Sequence, residues 1–262
     1  MDQDSFRLDK LMEIIVSHLE AMPLVLYIHG SRAYGYASPK SDYDIRGIFI
    51  ELDPTKYISA FKTSRKEIHI EEPPYDIRLW ELRKFVSLVY SFNPIVYELL
   101  QSKPVYISEK YKDQCLEIIK ESRSIIFSYK PRRLFYHYYG MFRSWLKYFD
   151  KTPKKAIYHI IRCFLALTCI ARLDKFPPVK LEELIGLMKS HYPEIVVYAE
   201  MILDAMQRGE DISPSEQIVG KIKKEIAKFL PIEKMSFNIK EKSTIIDNIV
   251  IKILRKHICG GE

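Results

Sequence analysis

The chain has 262 residues, enough for two compact domains, and its 47% hydrophobic content argues against disorder. Its formal charge of +7 favours an anionic partner such as nucleic acid or nucleotide, although many soluble proteins carry such a surplus. The four cysteines form no C-x-x-C pair, which argues against a zinc site or a disulfide framework. Without an apolar stretch of about 18 residues or a signal core, we expect a cytoplasmic protein that makes no membrane contact.

The first hundred residues mix helical and extended patterns. In chain order they predict a helix over 6–22, a buried strand over 24–28, a short helix over 31–37, strands over 43–51, 67–71 and 75–79, and helices over 81–91 and 94–100.

From Ser108 onward the pattern is almost wholly helical. Helices are predicted over 108–124, 131–149, 153–173, 181–190, 193–208, 213–229 and 241–257, with 234–240 as the one candidate for extended structure. The chain is therefore predicted to be α+β, with a small mixed β-sheet in a domain over 1–105 and an all-helical domain over 106–262.

A Gly-Ser turn and a pair of aspartates stand at the ends of the first two strands. Gly30 and Ser31 follow the first strand, and Asp42 and Asp44 open the second. Glycine lets the backbone approach a phosphate closely, and Ser31 offers an N–H and a hydroxyl group. Side chains two apart in a strand share a face, so the two aspartates can hold one metal ion or bracket two. This pairing predicts a site for a nucleoside triphosphate with its metals.

Two-metal phosphoryl or nucleotidyl transfer needs a third carboxylate. Asp76, on the strand predicted over 75–79, is the best candidate. Glu71 is the weaker alternative, because the alternation of its strand suits a face turned to solvent. Gly-Ser pairs and D-x-D triplets are common singly, as turns or strand edges. A Gly-Ser turn, a D-x-D strand and a third aspartate on a later strand, in this order along the chain, form a much more specific signal.

These residues resemble the nucleotidyltransferase superfamily that includes DNA polymerase β, and more narrowly the nucleotidyltransferases associated with RNA repair. The resemblance rests on three stretches: HGSRAYGYASPKSDYDIRG at 29–47, DIRLWELRKF with the following NPIVYELL within 76–100, and KKAIYHIIRCF at 154–164. It implies a palm-like catalytic domain beside a helical domain. It also implies transfer of a nucleoside monophosphate from an NTP such as ATP, dependent on Mg²⁺ or Mn²⁺ with two ions, and release of pyrophosphate.

The resemblance also implies roles for individual residues. Gly30 and Ser31 would hold the triphosphate, and Asp42 and Asp44 would ligate metal. Asp76 would ligate the second metal and help to deprotonate the acceptor hydroxyl group.

Several cations are candidates for phosphate binding. Lys155, His159 and Arg162 fall at i, i+4 and i+7, so they share a helix face that could clamp the triphosphate or an acceptor phosphate. A solvated basic face is the alternative, and the resemblance of this segment favours the functional interpretation. Arg32, directly after the turn, could reach a phosphate or pair with an acidic neighbour.

Two further arginines, Arg46 and Arg78, lie two residues after Asp44 and Asp76. They could offset the charge of the carboxylates, guide pyrophosphate or form structural salt bridges.

Basic and aromatic residues interleave at the start of the helix predicted over 131–149. Lys130, Arg132 and Arg133 precede the aromatic run 135–139, a mixture that suits single-stranded nucleic acid. The favoured interpretation is a buried core stripe, because aromatic residues recur at helical spacing: Phe135, Tyr138, Phe142, Trp145 and Phe149.

The leading functional hypothesis is transfer of a nucleotidyl group to RNA, because the helical half is basic. The alternatives are a protein hydroxyl group, a small-molecule hydroxyl group such as that of an aminoglycoside, and a catalytically silent nucleotide- or RNA-binding module. Three carboxylates kept together argue against a silent module. The preferred NTP and the oligomeric state stay open.

Overall fold

A computed structural model describes residues 6–210, 213–230 and 243–259. The helix predicted over 6–22 is shorter than expected, with an α-helical part, α1 (Leu8–Glu13), and a π-helical part (Ile14–His18). The following strand, β1 (Ala21–His29), begins three residues earlier than predicted and includes Pro23. The pairing register with the next strand shifts between Pro23 and Val25, because proline has no N–H for the ladder.

Five strands form one mixed sheet. After β1 come β2 (Tyr43–Glu51), β3 (Glu67–Glu72), β4 (Tyr75–Glu81) and β5 (Tyr106–Ile107), in the spatial order β3-β4-β2-β1-β5. Strands β2 and β4 are parallel, and the other neighbouring pairs are antiparallel. The short β5 is absent from the sequence prediction, because a two-residue strand has no periodicity to detect.

The helices agree with the predicted pattern to within a few residues at their ends. They are α2 (Gly30–Tyr34), α3 (Leu82–Tyr90), α4 (Pro94–Gln101), α5 (Lys112–Phe127), α6 (Arg132–Tyr148), α7 (Pro153–Leu173), α8 (Leu181–Met188), α9 (Pro193–Arg208), α10 (Glu216–Ala227) and α11 (Ser243–Ile258). Short 3₁₀ turns occupy Pro54–Tyr57 and Glu109–Tyr111. The segment 234–240, predicted as extended, lies outside the described residues.

Alternation along the strands assigns the polar residues to one face of the sheet. Ile45 of β2 and Ile77 of β4 are fully buried in an apolar core that also contains Leu11 of α1. Because neighbouring strand residues project to opposite faces, Asp44 and Asp76 point away from this core. The fold thus presents both carboxylates on the face opposite α1.

The chain divides into two compact units, each with its own core. The sheet unit contains the described residues of 6–32, 42–128 and 243–259, and the helical unit contains those of 33–41, 129–210 and 213–230. The α+β fold class is therefore confirmed. The division differs from the predicted boundary at residue 105, because α5 and α11 belong with the sheet and 33–41 belongs with the helices.

Specific contacts explain this division. The Sγ atom of Cys115 in α5 lies 3.6 Å from the carbonyl oxygen of Leu24 in β1. A ring nitrogen of His257 in α11 is hydrogen-bonded to the carbonyl oxygen of Glu51 in β2 at 2.8 Å. In the helical unit, Gln207 donates to the carbonyl oxygen of Gly35 at 2.8 Å. Such long-range contacts leave no local pattern in the sequence.

Helix α7 is long and apolar enough to cross a membrane by length and composition alone. The expectation from the sequence that no segment spans a membrane stays a prediction. Its most apolar window is 78% buried inside the protein, as in the central helix of a folded core.

Candidate active site

The turn after β1 is shaped by Gly30. This residue has a φ of +60°, in the left-handed region that side chains disfavour. A Cβ atom at this position would lie 2.5 Å from Cγ of Asp44 and overlap its Oδ2 atom. Glycine is therefore required both by the backbone conformation and by the close approach of the carboxylate.

Two of the predicted carboxylates stand side by side. Asp44 of β2 and Asp76 of β4 are direct partners in the parallel register. Glu71 of β3 lies on the far side of Asp76, opposite it in the antiparallel register, and its side chain is 79% exposed. The register thus places Asp76, and not Glu71, next to Asp44.

Arg46 lies between these carboxylates and bonds to both. Its Nη2 atom donates to Oδ1 of Asp44 at 3.0 Å and to Oδ2 of Asp76 at 2.9 Å. Its Nη1 atom donates to the carbonyl oxygens of Ile45 and Asp76 at 2.9 and 2.8 Å. Arg46 therefore offsets the charge of the pair through salt bridges to both carboxylates, and a role in guiding pyrophosphate stays a prediction. Arg78 instead pairs with Glu67 at 3.6 Å.

The two carboxylates have opposite electrostatic properties. Burial raises the pKa of Asp44, and the nearby Asp76 carboxylate adds to this effect against the attraction of Arg46. Burial also acts to raise the pKa of Asp76, but hydrogen bonds from Arg46 and His69 outweigh it, so the pKa of Asp76 is lowered. Asp76 is the more strongly stabilised anion of the two.

Two histidines that sequence reasoning left without a role flank this pair. Nε2 of His69, on edge strand β3, is 3.0 Å from Oδ1 of Asp76. His29, opposite Asp44 in the antiparallel register, has its Nε2 atom 3.0 Å from Oε2 of Glu98 in α4. The two histidines and two aspartates come from four different strands. The only local sequence signals for the histidines are the alternation of β3 and the position of His29 directly before the turn.

The donor set of Asp44 and Asp76 is chemically suited to a hard divalent cation. Mg²⁺ takes oxygen ligands and commonly uses one or two carboxylates, with substrate phosphates and water completing its shell. No group of three or more His, Cys, Asp or Glu side chains is arranged to hold a metal among the residues that the structure describes. The pair of Asp44 and Asp76 can serve a nucleotide-bound ion, and a metal site that uses Asp42, Asp44 and Asp76 together stays a prediction.

Asp42 and Arg32 lie beside this pair in sequence. Asp42 precedes β2 and is exposed, and its carbonyl oxygen accepts a hydrogen bond from Nε of Arg32 at 3.3 Å. The Arg32 guanidinium lies 3.7 Å from the centre of the Tyr43 ring. The metal role of Asp42 and the nucleotide-binding role of Arg32 stay predictions, as do those of Gly30 and Ser31.

The profile of the RNA repair pathway DNA polymerase beta family, RlaP, matches residues 8–248. The chain belongs to this family. It is also 30% identical over 195 residues to the uncharacterized protein YcgL of Bacillus subtilis strain 168, covering 72% of this chain and 71% of that protein. The family match over residues 8–248 extends over both units, including helices after residue 173 that carry no recognisable motif.

In the helical unit of this RlaP-family chain, the three cations predicted to form one stripe on α7 differ in exposure. Lys155 is exposed, and the His159 ring stacks on Trp145 with centroids 4.0 Å apart. Arg162 is only 2% exposed, with its guanidinium 3.7 Å from the centre of the Tyr34 ring. The prediction of one exposed cationic face on α7 is therefore wrong for Arg162, because this part of the helix lies in the core. Nucleotide binding stays a prediction for all three residues.

The aromatic residues of α6 that recur at helical spacing lie largely in the core, as the sequence favoured. Phe135, Tyr138 and Phe142 are buried, and Trp145 and Phe149 are half-buried. Arg132, Arg143 and Lys147 on α6 are exposed, and Tyr136 and Tyr139 are half-buried.

Proposed function

We propose that this RlaP-family protein transfers a nucleoside monophosphate from an NTP to a hydroxyl group of RNA, using a divalent cation bound with the nucleotide. Membership of the family supports a polymerase β-like nucleotidyltransferase in RNA repair. The observation that carries the finer proposal is the direct pairing of Asp44 with Asp76 beside Gly30.

In the proposed reaction, the acceptor oxygen attacks the α-phosphorus of the NTP. The new bond joins that oxygen to phosphorus, and the bond from the α-phosphorus to the bridging oxygen breaks, so pyrophosphate leaves. The hydroxyl proton passes to Asp76 and from there to solvent. The bound Mg²⁺ or Mn²⁺ would neutralise phosphate charge and lower the pKa of the hydroxyl group.

The residues of the sheet would prepare this chemistry. Asp44 and Asp76 would hold the cation, and Asp42 would add a ligand from the loop before β2. Gly30 would let the turn approach the triphosphate closely. Arg46 would keep the two like charges close together, because its guanidinium bonds to both.

The test is incubation of the protein with Mg²⁺ or Mn²⁺ and each α-labelled NTP, with tRNA, nicked RNA and total cell protein as acceptors. The proposal expects label in RNA, which is lost in Asp44→Asn. The exposed Asp113→Asn on α5 is a control with the same chemical change. Label confined to protein would contradict the RNA acceptor, and label nowhere would favour a binding module.

A further inference from the structure

We infer that the outer side of α6 is a binding surface for single-stranded RNA, which deepens the proposed function by locating its acceptor on the helical unit. The surface, called here the α6 stripe, consists of residues spaced by three or four positions: Arg132, Tyr136, Tyr139, Arg143 and Lys147. This spacing places all five on one side of the helix, away from the buried Phe135, Tyr138 and Phe142.

Charge is the first argument for an anionic partner. Residues 129–173 contain ten Lys and Arg residues and one acidic residue, Asp150, which gives a formal charge of +9. The whole chain has +7, so the positive charge is concentrated in the segment that includes α6 and α7. Helix α6 itself contains no Asp or Glu residue. Such a concentration of positive charge attracts a polyanion within about one Debye length of the surface, roughly 8 Å at physiological ionic strength.

The aromatic rings of the α6 stripe favour single-stranded RNA over other polyanions such as duplexes. Tyr136 and Tyr139 are half-buried, so each ring is anchored and still meets solvent. The Tyr139 ring is held parallel to Phe135 and Phe142, at interplanar angles of 15° and 24°. A fixed, partly open ring is a stacking platform for an unpaired base, whereas the bases of a duplex are already stacked on one another.

The middle of the stripe is open. Gly140 lies beside Tyr136 and Arg143 on the helix surface, and no atom lies within 4 Å of the place that its Cβ would occupy. A strand can therefore approach the helix backbone between the rings and the cations. From Arg132 to Lys147 the helix rises about 22 Å. That length is comparable to about six stacked nucleotides.

The test measures binding of fluorescein-labelled uridine and adenosine 12-mers to the full chain in EDTA, without NTP, across a range of salt concentrations. Arg143→Gln with Lys147→Gln is expected to weaken binding at least tenfold. It should also reduce the slope of log K against log salt by about 1.4, because each phosphate contact to a single strand contributes about 0.7. Arg132 is left intact, because it pairs with Asp174 at 3.4 Å.

The matched control is Lys223→Gln with Lys224→Gln on α10. These lysines are also exposed on a helix of the same unit, and the pair removes the same charge. Tyr136→Leu with Tyr139→Leu should weaken binding about tenfold or more through lost stacking. Tyr148→Leu, on another side of α6 and 51% exposed, should not.

Gly140→Glu keeps the proposal testable if the tyrosine variants fold poorly. Glutamate is a better helix former than glycine, so the melting temperature should not fall, while its charge should repel the strand. Gly220→Glu on α10 is its control, because Gly220 also has no atom within 4 Å of a Cβ. Equal losses of RNA affinity in the two variants, or no RNA binding by the wild type, would contradict RNA binding at the α6 stripe.

This outcome is separable from that of the proposed function. Asp44→Asn should abolish transfer and still bind the 12-mers like the wild type. If the wild type transfers nucleotide to RNA and the variants of the α6 stripe bind the 12-mers normally, only the inferred role of the α6 stripe would be contradicted. Stripe-dependent binding without transfer would overturn the proposed function alone. Preference for an acidic peptide over both 12-mers would replace RNA with a protein partner.

Discussion

The carboxylate of Asp44 packs against the Cα atom of Gly30, in a space that any side chain at position 30 would fill. Asp44 has Arg46 and Asp76 on its other side, so it has little freedom to retreat. The glycine turn and the carboxylate pair are therefore one packed arrangement rather than two motifs that happen to be near each other in sequence.

Gly30→Ala should reduce kcat/KM for nucleotidyl transfer by about 100-fold or more, because the new methyl group displaces the Asp44 carboxylate from its position. The positive φ adds about 1 to 2 kcal/mol of backbone strain. Gly35→Ala is the control, since Gly35 has a φ of +86° and no atom within 4 Å of a Cβ. Thermal unfolding and initial rates measure the two effects. Equal activity losses in both variants would mean that backbone strain alone is responsible.

Asp76→Asn should lower kcat/KM about 100-fold or more, whereas Glu71→Gln should change it less than threefold. Both substitutions remove one negative charge from neighbouring strands at paired positions. Only Asp76 stands beside Asp44 in the register. The measurement is transfer rate against Mg²⁺ concentration. A large loss in Glu71→Gln with little loss in Asp76→Asn would reverse the assignment.

Arg46→Gln should lower the free energy of unfolding at pH 7 by about 2 kcal/mol, since it leaves two adjacent carboxylates without their cation. Because the pKa of Asp76 is lowered in the folded protein, its contribution is present above the ordinary carboxyl range and is lost as the pH falls through the folded pKa. The difference between variant and wild type should therefore shrink below about pH 4. Urea unfolding at several pH values measures it.

Arg78→Gln is the control for Arg46→Gln. Its side chain is 37% exposed and pairs with Glu67 at 3.6 Å, so the expected change is below about 1 kcal/mol. A difference between Arg46→Gln and wild type that grows at acidic pH would contradict the proposed role of Arg46.

Arg65→Gln should destabilise the sheet unit by about 3 kcal/mol at pH 7. The Glu51 carboxylate is fully buried, and Arg65 and Lys56 bond to it at 2.6 and 3.1 Å. Burial acts to raise the pKa of Glu51, but these hydrogen bonds outweigh it and the pKa is lowered. Denaturant unfolding measures the loss, which should diminish as acid protonates Glu51.

Lys112→Gln serves as the reference for Arg65→Gln, because its pair with Glu109 at 3.2 Å is exposed and should contribute below about 1 kcal/mol. Transfer activity of the folded Arg65→Gln protein should match the wild type. Equal destabilisation by the two variants would show that the burial of Glu51 has no energetic consequence.

Local patterns predicted the helices well. Helices α7 and α9 have the predicted bounds, and the start of α4 follows from Asn93, whose side chain accepts from the N–H groups of Ile95 and Val96. Such signals act over a few residues, through capping, periodicity and proline, so they are legible without a fold. The first helix was predicted too long because the same apolar pattern continues from α1 into β1.

The sequence was sufficient to identify the family, the α+β class, the glycine turn and the candidate carboxylates, because these depend on residue type and short spacing. Only the tertiary structure decided that Asp76 rather than Glu71 adjoins Asp44, that Arg46 bonds to both carboxylates, and that Arg162 is buried on Tyr34. Strand register and helix packing determine these neighbours. Both arise from contacts between residues far apart in the chain, which leave no periodic signal within it.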